Sequence, residues 1–268
     1  MKRELRTALV AGGVVVFGVG LLLGFLLGRS ANDEEVAAPP AIPGVTTTAT
    51  LPAVLSTPPP GEAPAISTEG RMLQDDRTVI AAPSNAACTA LLSPGTIGDC
   101  NEVVVAGQRV VWVVEQATTP TGAPAFSARI STFVPDEGGW VQWLEASDPA
   151  GGRWSDVNVF AADLTSDGVA ELLVGFRSVG EARTLGYDIV GYSESAVPEV
   201  LAHPEPSARG SVIVSAGTIQ EYGAQYPNDE PLCCPPSYLR RTIAFEDSFF
   251  RVIGSETVVT TAVPPSQL

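Results

Sequence analysis

A run of twenty residues without charge or proline, Ala8 to Leu27 (ALVAGGVVVFGVGLLLGFLL), constrains this chain more than any other feature. At about 1.5 Å rise per residue a helix of that length crosses the roughly 30 Å hydrocarbon core of a bilayer. An uncleaved transmembrane signal anchor over residues 8–27 is expected. Lys2, Arg3 and Arg6 precede the run, while Asp33, Glu34 and Glu35 follow Arg29. The positive-inside bias then predicts a cytoplasmic tail, residues 1–7, and export of the rest across the cell membrane. A cleaved signal peptide is the competing reading, but such apolar cores are usually about 7 to 15 residues, and Arg29 spoils the small-residue pattern at Arg29-Ser30-Ala31. Gly20, Gly24 and Gly28 share one helix face and would let a second copy approach, a homodimer contact, although glycine is also common in membrane helices generally.

Residues 28–70 read as a linker. From Val36 to Gly70 the chain is a proline, alanine and threonine mixture with no aromatic residue and no apolar period, so it cannot build a core. In polyproline II form such a segment reaches up to roughly 100 Å.

The rest, residues 71–268, is expected to form an antiparallel, mainly β domain with a minor helical part outside the membrane. β-branched and aromatic runs bounded by Gly, Pro or Asp predict strands at 102–115, 125–134, 139–145, 156–162, 171–177, 185–192, 211–215, 241–246 and 248–253. Asp136-Glu137-Gly138-Gly139 and Glu246-Asp247-Ser248 read as hairpin connections. Ser84 reads as the N-cap of a short helix over 85–92. Trp112, Trp140, Trp143 and Trp154 are expected in the core, with a carbohydrate-stacking platform as the alternative.

Charge excludes one class of partner. The whole chain has fifteen Lys and Arg against thirty Asp and Glu, a net −15, and residues 71–268 alone carry −13. Nucleic acid, whose phosphates require a basic surface, is not expected. A single histidine, His203, excludes a histidine-rich metal site; it stands in Leu201-Ala202-His203-Pro204-Glu205-Pro206 and reads as a solvent-exposed loop residue.

Cys88, Cys100, Cys233 and Cys234 all follow the anchor, where disulfides persist. Three outcomes are open: Cys233 and Cys234 each tied to Cys88 or Cys100, a local Cys88–Cys100 loop with a strained Cys233–Cys234 bridge, or free thiols. The crossing arrangement is favoured, because adjacent residues lie about 3.8 Å apart at Cα, below the roughly 4.4 Å lower limit for a bridge.

The most specific stretch is Asp163-Leu164-Thr165-Ser166-Asp167-Gly168-Val169-Ala170-Glu171, followed by the apolar Leu172 to Phe176. Oxygen side chains at positions 1, 3, 5 and 9 and the carbonyl of position 7 suit a hard cation such as Ca2+. Position 12 is Val174 instead of a bidentate glutamate, so an EF-hand is rejected. The stretch resembles the calcium loop of FG-GAP/VCBS-type repeats, D-x-D-x-D-G-x-x-D/E leading into an apolar strand. That resemblance implies Asp163, Thr165, Asp167, Val169 and Glu171 as metal ligands, with Thr165 standing where the motif prefers a carboxylate. The alternative is an Asp/Gly turn with no ion. The motif is present once, and about 200 residues are too few for a seven-bladed propeller.

A wider resemblance covers roughly residues 80–255. Trp154, the Asp-Gly loop, Val174-Gly175-Phe176-Arg177, Tyr226-Pro227-Asn228-Asp229 and Cys233-Cys234-Pro235-Pro236-Ser237 together resemble uncharacterised membrane-anchored exported proteins of high-GC Gram-positive bacteria. It implies location and no activity.

No catalytic motif is expected: no G-x-S-x-G elbow accompanies His203, and no phosphate-cradling glycine loop is present. The chain reads as a non-enzymatic binding or structural module of the cell envelope, with an envelope protein or glycan as partner. The alternative is a glycan hydrolase using paired carboxylates.

Overall fold

The computed structural model describes residues 63–148, 150–226, 231–259, 263 and 265–268. The predicted anchor, the Gly20/Gly24/Gly28 contact and most of the linker lie outside them. Among the described residues no helix is long and apolar enough to cross a membrane.

Among the described residues thirteen strands make three antiparallel sheets. The first holds β1 (Gln74–Ile80), β2 (Ile97–Val105), β3 (Gln108–Thr118), β4 (Pro124–Val134) and β5 (Gly139–Ser147), in the order β1-β5-β4-β3-β2. The second runs β6 (Trp154–Ala162), β7 (Glu171–Ser178), β8 (Leu185–Tyr192) and β9 (Pro198–Ala202). The third runs β10 (Ser211–Ser215), β11 (Thr218–Gln225), β12 (Ser237–Glu246) and β13 (Phe249–Val259). Apart from β1, which joins the free side of β5, each strand pairs with its sequence neighbour. The domain is thus three successive meanders.

Alternation of side chains explains the stacking. In β7, Leu172, Val174 and Phe176 join Trp112, Ile130 and Leu144 of the first sheet in one core, while Leu173 points the other way. There Leu173, Tyr187 and Ile189 meet Val212, Ile219, Ile243 and Phe250 of the third sheet. The middle sheet is therefore covered on both faces, and β7 and β8 read as nearly continuous apolar runs, as doubly buried strands do. Leu268 enters the second core, 7% exposed, directly over Gly175. A Cβ on Gly175 would lie 3.1 Å from the Leu268 Cβ, so glycine is what allows the close approach.

The outer face of the first sheet is sealed by residues 81–96. Leu91, Val111, Val113 and Trp140 form a third cluster with Cys88 and Cys100 packed against it. Arg129, paired with the buried Glu115 at 2.8 Å, also donates to the Leu91 carbonyl and fastens this cover. Trp112, Trp140 and Trp154 are buried and Trp143 is half-buried against the first core, as expected.

Several expectations need correction. The segment 102–115 is no single strand: Val105 pairs with Gln108, and Ala106-Gly107 between them turns the chain into the β2–β3 hairpin. The helix over 85–92 contracts to a 3-10 turn, Cys88–Leu91, with Ala87 at the N-cap and no side-chain cap from Ser84. The ten residues between Pro83 and Pro94 are too few for a self-supporting helix. Strands β1, β9 and β11 escape the apolar pattern because β1 is mostly exposed, β9 opens with Pro198, and β11 carries the buried Glu221.

The expected crossing disulfides do not form. Cys88 bonds Cys100, twelve residues away, while Cys233 and Cys234 are exposed free thiols. The two pairs belong to opposite outer sheets with the middle sheet between them, and stacked sheets are about 10 Å apart.

Candidate functional site

Residues 63–70, which composition assigns to the linker, form an arm on the third sheet. Ala65 bridges Arg251 at the outer edge of β13, the Ile66 N–H donates to the Phe250 carbonyl at 2.8 Å, and the His203 N–H donates to the Ser67 carbonyl at 2.8 Å. Between this arm, the 203–206 connector and β12–β13 lies a groove of about 900 Å³. Ala63, Pro64, Ile66, Pro204, Pro206, Ile243 and Val252 give it an apolar lining, with Arg241 and His203 in the wall and Glu69 and Glu205 among its acidic members.

His203 is 9% exposed, so the expected surface-loop histidine is in fact an ordered part of the site. The cause is Asp188, a fully buried residue of β8 whose Oδ1 lies 2.7 Å from His203 Nδ1. Asp188 Oδ2 accepts the Leu73 and Met72 N–H groups at 2.6 and 2.9 Å. An acceptor so committed assigns the ring hydrogen to Nδ1 and leaves Nε2 on the side of Gly70 and the groove. Among the described residues the ring's side-chain hydrogen bond is the one to Asp188.

A second buried acid holds the groove's cation. Glu221 accepts hydrogen bonds from Ser207 Oγ at 2.6 Å, Tyr187 OH at 3.1 Å and Arg241 Nη2. Arg241 Nη2 also donates to the Glu205 carbonyl at 3.0 Å. Burial works against the Arg241 charge, but the Glu221 carboxylate outweighs it and holds the guanidinium pKa above its ordinary value. Burial first, and then Glu221, push the Tyr187 phenol well up, so it serves only as a donor. Both basic side chains of the groove are thus tied to acids beneath them.

The Asp-rich loop joins β6 to β7, as its sequence implies. Glu171 is buried: Oε2 accepts the Leu164 and Thr165 N–H groups at 2.7 and 3.2 Å, and Oε1 accepts Thr165 Oγ1 at 3.1 Å. Asp163 takes the Gly168 N–H at 3.1 Å and Asp167 the Val169 N–H at 2.7 Å. Each carboxylate therefore closes the loop onto its own backbone, and the Val169 side chain packs toward the first core. Among the described residues no three His, Cys, Asp or Glu side chains gather where a metal ion could be held. The calcium reading keeps only its sequence basis.

A smaller cleft of about 410 Å³ contains Asp76, Glu145 and Trp154. Gln142 Nε2 donates to both Asp76 and Glu145, and burial, then the neighbouring Asp76, raise the Glu145 pKa. Gln142 thus bridges the two carboxyls. Trp154, which lines the same cleft, is buried and offers no open face for stacking on a sugar.

Sequence reasoning missed Asp188 and Glu221. A lone acid inside an otherwise apolar strand, as in Leu185–Tyr192, is the signal that marks such a residue, since a buried carboxylate must be paired. Compared with protein-family models, with curated proteins and with solved structures, the chain finds no match in any of the three.

Proposed function

We propose that this chain is a membrane-anchored module that holds its β domain outside the membrane and binds an extended peptide segment, neutral or basic, without altering it chemically. One observation carries the reading: the 900 Å³ groove lies against β12 and the edge strand β13, where the arm already adds an extended residue at the Ala65–Arg251 bridge. An edge strand beside an apolar groove takes a further extended chain by backbone hydrogen bonds, with side-chain pockets giving selectivity. Charge supports the basic preference. Arg241 and His203 are neutralised from below, Glu69 and Glu205 line the groove, and residues 71–268 carry −13 overall. The burial of Trp154 in the cleft that holds Asp76 and Glu145 favours binding over glycan hydrolysis.

The test uses the full chain in lipid nanodiscs and two labelled decapeptides of equal apolar content, one carrying lysine and one glutamate. Saturable, salt-weakened binding of the lysine peptide that Ser255→Trp abolishes is expected. Equal binding of both peptides, or of neither, would refute the reading. Protease treatment of intact cells tests topology: cleavage of the domain is expected, and protection would remove the exported location. Calcium enters only as an added clip on the Asp163–Glu171 loop, tested by a melting shift at millimolar calcium that Asp163→Ala removes.

A further inference from the structure

The described residues divide their four cysteines unequally. Cys88 and Cys100 are bonded and half-buried against the third cluster, whereas Cys233 and Cys234 are exposed thiols in the β11–β12 connection. That connection is held in place. The Cys234 N–H donates to the Pro231 carbonyl at 3.1 Å, closing a turn, and the Leu232 carbonyl accepts Arg209 Nε at 2.5 Å and Tyr226 OH at 2.8 Å. Pro231, Pro235 and Pro236 fix φ on both sides of the pair.

We propose that Cys233-Cys234 is a covalent capture site for disulfide-bearing molecules, ending in a lasting mixed disulfide instead of an internal bond. The thiolate of one cysteine attacks a sulfur of an external disulfide R–S–S–R. The Cys–S–S–R bond forms as the R–S–S–R bond breaks, and R–S⁻ leaves with the electron pair. The cysteine is oxidised and the departing sulfur reduced, so no further oxidant is required. The Arg209 guanidinium, held against the turn by its bond to the Leu232 carbonyl, favours a thiolate there, while the neighbouring Cys233 pushes the Cys234 thiol above its ordinary value.

Adjacency decides the fate of the captured group. In a C-x-x-C pair the second thiol expels that group by closing an internal disulfide. Here closure would join Cα atoms about 3.8 Å apart, below the roughly 4.4 Å at which bridges ordinarily begin, and would break the Pro231–Cys234 turn. The captured group therefore stays until an outside thiol removes it. The site stands independently of the peptide groove and of the side of the membrane on which the domain lies.

Oxidised glutathione serves as the probe, on the full chain in detergent, with the wild type compared against Cys233→Ser and Cys234→Ser. Peptide mass mapping is expected to find a glutathionyl group on the 233–234 peptide and an intact Cys88–Cys100 bond. After the reagent is removed, the wild-type adduct should last as long as that of either single variant. A wild type that sheds its adduct faster than both variants, losing two hydrogens as an internal bond closes, would overturn the proposal. So would the absence of any adduct, or an adduct on Cys88 or Cys100.

Discussion

Asp188 holds two backbone N–H groups and a ring nitrogen together in the domain interior, and its replacements separate these duties. Asp188→Ala orphans all three and should cost about 3 kcal/mol, read as a lower denaturant midpoint at unchanged m-value. Asp188→Asn can keep its oxygen on Met72 and Leu73 while its amide donates to His203 Nδ1. It should therefore cost under about 1.5 kcal/mol, yet move the ring hydrogen to Nε2, visible in the nitrogen chemical shifts of His203. Glu171 gives a pH-dependent case. Burial raises its pKa above the ordinary carboxylate value despite the hydrogen bonds from Leu164 and Thr165, so the fold favours the neutral acid. Its stabilising contribution is complete below the ordinary value and is lost as pH rises through the raised one. In Glu171→Gln the oxygen can serve both N–H groups and the amide can donate to Thr165 Oγ1. That variant should match or exceed the wild type at neutral pH and show a flatter stability profile, measured by melting in a pH series that rises from about 4, near the ordinary carboxylate value.

Three hairpins use the same device. Ala106-Gly107, Ala216-Gly217 and Asp247-Ser248 are two-residue turns with positive φ at both positions, the mirror-image geometry that matches strand twist. Alanine is a poor occupant of the first position, where asparagine is favoured. Ala106→Asn and Ala216→Asn should each raise stability by roughly 0.5 to 1 kcal/mol, and, lying in different hairpins, should add when combined. Sequence legibility tracks the same chemistry. Asp247-Ser248 announces a turn because both residues are turn formers, whereas Ala106-Gly107 sits inside a valine-rich stretch that reads as strand throughout. Strands that bury one face, such as 125–134, or both, such as 185–192, stand out by their apolar residues; β1, with its polar, exposed side chains, does not. The groove was illegible for another reason. His203 and Asp188 are fifteen residues apart on a connector and a strand, and only the pairing of β8 with β9 brings them together.

At the scale of the whole molecule the second core is closed by Ser266–Leu268. The Gln267 N–H donates to the Val212 carbonyl at 2.8 Å, Val214 N–H donates to the Gln267 side chain at 2.6 Å, and Arg177 holds the Leu268 carbonyl at 3.0 Å. Leu268→Ala should lower stability by about 2 to 5 kcal/mol, the range for a buried leucine, measured by chemical denaturation. Hydrogen exchange should be slowest in β7 and β8, since neither strand meets water until an outer sheet has left. Sequence drift should follow the same layering. Positions on the outer strands can exchange one polar residue for another at little cost, but along Leu172–Phe176 every side chain answers to a neighbour above or below. A library of variants would find its dead positions gathered in that central layer, and the freedom to acquire new surfaces left to the layers on either side.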